Sequence, residues 1–303
     1  MFQRTLLIAA IPGILAGCAL PATTSAPTPY PANYIPTLVY LTAESINAAT
    51  AFAPIPPTEM ATATITPVPS MRVPTTAPAA GPGVPLAAIQ VKEPGPMSRV
   101  VSPLEVQMLA IAGDSRKIEV DLFGEDGRLL GRTLKAVAGS PAGDSLSVEI
   151  RFETRAAGEN GFVQVSTRGT KYAQSMPQSL VTVPILLRSA GASQINPAGN
   201  TIYDRVTLDR LPPESTVSGG VFAVEGEMMP YNRQQVILEL ISDEGRILCQ
   251  RLLPFSGSDW QPFSTTVPYK VRAPTRARLY IHQAHDVLDG QAYIFSQEIT
   301  LNP

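Results

Sequence analysis

Ile118-Glu119-Val120-Asp121-Leu122-Phe123-Gly124-Glu125-Asp126-Gly127-Arg128-Leu129-Leu130 and Val236-Ile237-Leu238-Glu239-Leu240-Ile241-Ser242-Asp243-Glu244-Gly245-Arg246-Ile247-Leu248 are two copies of one pattern. Ile118, Val120 and Leu122 alternate with Glu119 and Asp121, the period of a strand with one buried face. Leu238 and Leu240 flank Glu239 in the same way. Each acidic run ends in a glycine, Gly127 or Gly245, where a type I turn followed by a residue at positive φ favours a residue without a Cβ. Arg128-Leu129-Leu130 and Arg246-Ile247-Leu248 open the return strand. Both stretches are predicted to be β-hairpins.

The copies stand 118 residues apart, from Gly127 to Gly245, and the match runs outward. Ile89-Gln90-Val91 corresponds to Val206-Thr207-Leu208, and Pro96–Val100 to Pro213–Val217. Leu146–Phe152 corresponds to Phe263–Tyr269, and Phe162–Val165 to Arg278–Ile281. A repeat of this length is a whole domain, because solenoid periods are shorter. Apolar runs of strand length recur near 88–92, 100–107, 117–123, 128–135, 145–152, 161–167 and 179–186. They recur again near 203–208, 219–226, 235–241, 246–253, 262–269, 277–283 and 292–301. About seven short strands in ~100 residues predict an all-β fold, two tandem immunoglobulin-like β-sandwiches over 86–188 and 189–303.

Composition narrows the function. The 303 residues carry a formal net charge of -2, which argues against nucleic acid as a partner, since phosphate binding needs a strongly basic surface. The two histidines, His282 and His285, restrict acid–base and metal chemistry. The two cysteines, Cys18 and Cys249, occupy no symmetrical repeat positions and suggest no disulfide framework. Cys249 reads as a small hydrophobe on a strand.

Residues 1–18 resemble the signal peptide of a bacterial lipoprotein. Arg4 supplies the positive charge, Leu6–Ile11 begins a short apolar core, and Leu15-Ala16-Gly17-Cys18 is similar to a lipobox. The resemblance implies that the Cys18 thiol receives a diacylglycerol and that cleavage leaves Cys18 as the first residue. That places the chain outside the cytoplasm, anchored to a membrane through lipid. Residues 19–85 are rich in Pro, Thr and Ala, a composition expected to remain a disordered, solvated tether. It would reach roughly 200 Å as polyproline-like chain or about 45 Å as a coil.

Pro103-Leu104-Glu105-Val106 ahead of the first hairpin, Trp260-Gln261-Pro262-Phe263, and Val183-Pro184-Ile185-Leu186 together resemble the immunoglobulin-like domain of bacterial spore-germination proteins. Two copies of it would cover about two thirds of the chain. The copies depart from each other in places: Gly143 stands where the second has Trp260, and Ser102-Pro103 stands where the second has Gly219-Gly220. The resemblance implies an extracytoplasmic, non-enzymatic module; no cofactor is expected.

Four groups of residues invite chemistry. Gly143-Asp144-Ser145-Leu146 matches the nucleophile motif of an esterase family, but it opens a strand, and no Asp stands three residues before either histidine. A serine without a base is a poor nucleophile. His282 and His285, with Asp286 and Asp289, have a spacing that metals use. Leu279 and Ile281 read as the inward residues, so Tyr280 and His282 are expected to face water, with His285 in a solvated loop. Lys270, Arg272, Arg276 and Arg278 read as a basic edge beside Tyr269 and Tyr280. It suits anionic wall polymer, phospholipid head groups or the blocking of strand aggregation. Trp260 reads either as a sugar-stacking platform or, with its Trp-x-x-Phe spacing, as a plug at the end of the second sandwich, and the plug is the expectation. The function expected is binding or scaffolding of an envelope protein or wall glycan, with no metal and no catalytic residue. The alternative is an extracytoplasmic hydrolase using Ser145 or a metal-dependent enzyme using His282/His285.

Overall fold

The structure is a computed structural model that describes residues 83–172 and 176–303. The expected signal, Cys18 and most of the tether lie outside the described residues. All regular structure described is β, apart from one 3₁₀ turn at Gly199–Ile202.

The first repeat contributes β1 (Ile89–Glu93), β2 (Arg99–Val101), β3 (Leu104–Ala110), β4 (Lys117–Gly124), β5 (Leu129–Ala136), β6 (Asp144–Ile150), β7 (Gly158–Thr167) and β8 (Ser179–Arg188). The second contributes β9 (Val206–Asp209), β10 (Thr216–Val217), β11 (Val221–Met228), β12 (Val236–Ser242), β13 (Ile247–Leu253), β14 (Gln261–Pro268), β15 (Thr275–Ala284) and β16 (Gln291–Leu301). Each repeat packs a three-stranded antiparallel sheet, β1-β3-β6 or β9-β11-β14, against a larger one. In the larger sheet the order is β8-β7-β4-β5 or β16-β15-β12-β13, with β2 or β10 joining β8 or β16 in parallel. This is an immunoglobulin-like sandwich whose smaller sheet has one strand fewer, and whose larger sheet has two strands more, than the four-and-three arrangement of the seven-strand form.

The hairpins form as their sequences demand. Gly124 N donates to Arg128 O at 2.9 Å and Gly127 N to Gly124 O at 3.0 Å; Ser242, Arg246 and Gly245 repeat this at 2.9 and 2.8 Å. Gly127 has φ 77° and Gly245 φ 82°, and the register shifts by one residue in both copies. These are three-residue loops closed by a glycine bulge.

The apolar run expected as one strand over 100–107 is two strands in different sheets. β2 lies on β8, and β3 lies between β1 and β6. Ser102-Pro103 marks the crossing, where proline has no N–H to continue a ladder. In the second repeat Gly219 and Gly220, both at positive φ, sit between β10 and β11 at the same crossing. Two different local devices thus make one change of sheet.

Each sandwich has its own core. Val106, Met108, Ile118, Val120, Val163 and Ile185 are central to the first, and Val224, Leu238, Leu240, Val267, Leu279 and Ile281 to the second. Cys249 sits in the second core at 8% exposure. Phe263 packs against that core with Phe255 at 6.0 Å, whereas Trp260, expected as the plug, is only half-buried just before β14.

The two large sheets are one. β8 and β16 pair antiparallel at Leu180 and Ile294, giving the order β13-β12-β15-β16-β8-β7-β4-β5. In terms of the repeat this order reads the same from either end, so the sandwiches meet about a local twofold axis. Ser296 Oγ donates to Gln178 O at 2.5 Å and Gln164 Nε2 to Gln291 O at 2.9 Å across the seam. The segment between the repeats is fixed as well. Arg99 and Gln194 exchange both backbone hydrogen bonds, Asn196 N donates to Ser98 Oγ at 2.9 Å, and Thr201 Oγ1 donates to Val91 O at 2.7 Å.

Candidate functional site

The seam is built by reciprocal contacts. The loop after β7 reaches the second sandwich, and the loop after β15 reaches the first. A Cβ on Gly245 would lie 3.1 Å from Tyr172 O, and one on Gly127 would lie 3.2 Å from Val287 O. Each hairpin turn therefore abuts the other repeat's loop.

At the first of these ends Tyr172, Leu180, Ile241, Tyr280 and Ile294 form a third apolar cluster. This corrects the expectation that Tyr280 and His282 face water. Both do point away from Leu279 and Ile281, but that face is covered: Tyr280 is 0% and His282 4% exposed. His282 Nδ1 lies 3.0 Å from Gln291 Oε1, and Nε2 lies 3.5 Å from Glu239 Oε2, whose other oxygen accepts from Gln250 Nε2 at 2.8 Å. The expected basic edge is also broken up. Arg278 lies 5.0 Å over the Tyr172 ring, donates to Ser296 Oγ at 3.1 Å and pairs with Glu298 at 3.4 Å; Arg276 pairs with Glu298 at 3.5 Å. Tyr269 is buried and donates to Asn302 O at 2.9 Å. Lys270 and Arg272 remain exposed.

At the other end lies an open cleft of about 350 Å³ between the repeats. Its walls are Phe162 from β7, Arg205 from the connecting segment, and Tyr231, Asn232, His285 and Asp286 from the second repeat. His285, expected in a solvated loop, is 9% exposed and meets Phe162 edge-on with ring centroids 4.6 Å apart. Its Nδ1 accepts from Val287 N at 2.9 Å and Leu288 N at 3.0 Å, so the ring proton resides on Nε2. Burial pushes the imidazole below its ordinary pKa and keeps it neutral.

Tyr231 is held by a fully buried amide. Gln283 Oε1 accepts from Tyr231 N at 2.7 Å, while Gln283 Nε2 donates to Asn232 O at 2.9 Å and Gln234 O at 2.7 Å. Burial pushes the Tyr231 phenol up to about 12, so it stays protonated. Arg205 lies 5.3 Å over the Tyr231 ring, and its Nη1 donates to Met229 O and Pro230 O at 3.3 Å each. Asp204, its neighbour, instead accepts from Tyr293 OH and from Arg205 N. These two line a second, smaller cavity of about 90 Å³ with Leu180, Ile294 and Ser296.

The sequence motifs lie elsewhere. Ser145 is exposed on β6 opposite Leu109, and the preceding Asp144 accepts from Gly139 N and Ser140 N, closing the loop before the strand. Gly143 has φ 88° in that turn. His282 and His285 do not converge on a shared ligand: each has the separate partners given above. Asp286 accepts from Gln234 Nε2 at 3.0 Å, and Asp289 is exposed. Among the described residues no three His, Cys, Asp or Glu side chains cluster to hold a metal ion. Phe162, Arg205 and Tyr231 carried no signal in the sequence, because the cleft draws one wall from each repeat and one from the segment between them.

No protein-family model and no curated protein matches the chain. Among solved structures it is similar to the calcium-binding domain CBD12 of CALX1.1, at 15% identity over 66% of this chain and 82% of that one, with a TM-score of 0.21. It is similar to a chimeric titin Z1Z2-Z1Z2 tandem at 14% identity, over 70% and 95%, with a TM-score of 0.23. Red sea bream transglutaminase matches at 9% identity over 72% of this chain and 32% of that one, with a TM-score of 0.26. At such scores the likeness adds nothing to the strand order, on which the sandwich assignment rests.

Proposed function

We propose that this chain is a non-enzymatic, lipid-anchored protein of the bacterial cell envelope. Its paired immunoglobulin-like sandwiches bind or scaffold an envelope protein or wall glycan as one rigid body. The observation that carries this reading is the sheet shared through β8 and β16, with the connecting segment bonded along the first repeat. Passive spacing needs only sandwiches strung on free linkers. A continuous sheet fixes two loop ends and one cleft relative to each other, which recognition requires. The lipobox at Cys18 and the Pro/Thr composition of residues 19–85 support an anchored platform held off a membrane. The resemblance of both repeats to the spore-germination immunoglobulin-like domain supports an envelope setting and no catalysis.

The test uses the full chain. Mass spectrometry of the mature protein should find acyl mass on Cys18, absent in Cys18→Ser. Crosslinking in intact cells followed by detergent extraction should recover one partner stoichiometrically from the anchored form. An unmodified Cys18, or no partner above background, would overturn the respective half of the reading.

A further inference from the structure

Resting on that reading and deepening it, we propose that the cleft between the repeats binds a glycan bearing an anionic group, carboxylate or phosphate, anchored by the Arg205 guanidinium.

A guanidinium drawn out of water is normally met by a carboxylate. Arg128, 19% exposed, meets Glu159 at 2.5 Å and Asp126 at 2.8 Å; Arg278, 12% exposed, meets Glu298. Arg205 is half-buried, yet among the described residues no carboxylate lies within 4.0 Å of its guanidinium. Its partners are two carbonyls and the face of Tyr231, which orient the charge without cancelling it. Burial accordingly lowers its pKa below the ordinary arginine value. The adjacent Asp204 is directed to Tyr293 OH and a backbone N–H. Near neutral pH the Asp204 carboxyl, raised by burial to about 6, is largely ionised and attracts Arg205 from beyond salt-bridge distance, but burial outweighs that attraction.

The cleft then says what carries the anion. A volume of about 350 Å³ lies at the lower end of the range for small-ligand sites and suits one or two sugar rings. Phe162 and Tyr231 supply apolar ring surface for the C–H face of a sugar. His285 is neutral and adds no charge. Asp286, on the rim, is exposed and engaged by Gln234, so the acidic group must seat on the Arg205 side and densely charged polyanions are disfavoured. Arginine presents a planar fork of donors that fits carboxylate or phosphate oxygens.

The experiment is calorimetric titration of the full chain with three probes: trigalacturonate for carboxylate, glucose 6-phosphate for phosphate, and maltotriose as the uncharged control. At least one acidic probe should bind roughly tenfold more tightly than maltotriose, and whichever of the two binds better identifies the anion. Arg205→Gln should abolish that margin. Because this variant removes two bonds to the backbone, Val287 supplies an independent pair: it lies on the cleft wall and is 47% exposed. Val287→Glu should lower the ratio of acidic-probe to maltotriose affinity several-fold and Val287→Lys should raise it. Equal binding of charged and uncharged probes overturns the proposal, as does indifference to the charge at 287. Absence of binding by every probe, while the anchored chain still captures an envelope partner, overturns the anion site and leaves the platform standing. Loss of capture as well removes both.

Discussion

Tyr280 tests the seam most directly. Its side chain is fully buried among Tyr172, Leu180, Ile241 and Ile294, on the sheet face turned from the second core. Its phenol oxygen is buried with no hydrogen-bond partner, and burial pushes its pKa up to about 12. Two substitutions separate packing from polarity. Tyr280→Phe keeps the ring and deletes a hydroxyl whose unpaired burial costs about 1–3 kcal/mol. The void left is smaller than a methyl group and costs under about 1 kcal/mol. The variant is therefore expected to be unchanged or up to about 2 kcal/mol more stable, raising Tm by a few degrees. Tyr280→Ala removes the ring itself, at a cost of about 3–5 kcal/mol and roughly 10 °C in Tm. The assay is differential scanning calorimetry of the full chain. The parent should melt its sandwiches in one transition with equal calorimetric and van't Hoff enthalpies, because they share a sheet. The alanine variant should split that transition in two. A phenylalanine variant losing more than about 1 kcal/mol would show that the phenol is bonded after all. Two independent transitions in the parent would refute cooperativity across the seam.

Asp204 gives a pH dependence. Its carboxyl is raised from 3.8 to about 6 by burial, so between these values the folded chain holds a proton that the unfolded chain has released. The stabilisation is full below about pH 4 and is lost as pH rises through about 6, by ~3 kcal/mol at most. Urea midpoints of Asp204→Asn should show a flatter profile over that window; an identical slope would remove Asp204 as its source. Gly245→Ala places a Cβ at φ 82° and 3.1 Å from Tyr172 O. It should cost about 1–2 kcal/mol by urea denaturation with an unchanged m-value. Gln283→Met strands two carbonyls and one N–H of the loop that carries Tyr231, at a cost of ~3 kcal/mol. Hydrogen exchange should accelerate across 231–235 and not in β4; uniform acceleration would mean global destabilisation instead.

The period of two and the turn glycines made the strands legible. Each apolar run predicted from sequence lies on a strand or, over 100–107, on two. The same alternation placed Tyr280 and His282 correctly on the face opposite Leu279 and Ile281. It could not tell what covers that face. The cover comes from the loop around Tyr172, more than 100 residues earlier, and alternation within one strand holds no information about another repeat. Arg278 was read as part of a charged edge for a related reason. Its partner Glu298 sits opposite on β16, a neighbour defined only once the register is known. The Ser102-Pro103 step was visible, and its meaning as a change of sheet follows from the missing proline N–H. The cleft had no motif, since Phe162, Arg205 and Tyr231 meet only through the seam.

The local twofold makes the two loop ends comparable residue by residue. Phe162 and Pro184 face each other across β7 and β8, and Arg278 and Glu298 occupy the equivalent positions across β15 and β16. At the Tyr172 end the Arg278 guanidinium lies over the ring of that loop residue, and Glu298 pairs with the guanidinium. At the cleft end the loop residue His285 stands edge-on to Phe162, and the nearby cation, Arg205, comes from the segment ahead of β9 and has no carboxylate within 4.0 Å. Duplication alone would have produced two similar ends. Packing alone would favour closing both, since an open cleft forgoes buried apolar contact. One end is closed over a paired guanidinium while the other is open beside a guanidinium with no carboxylate within 4.0 Å, and that asymmetry is the ground for proposing recognition at Arg205 rather than along the sheet.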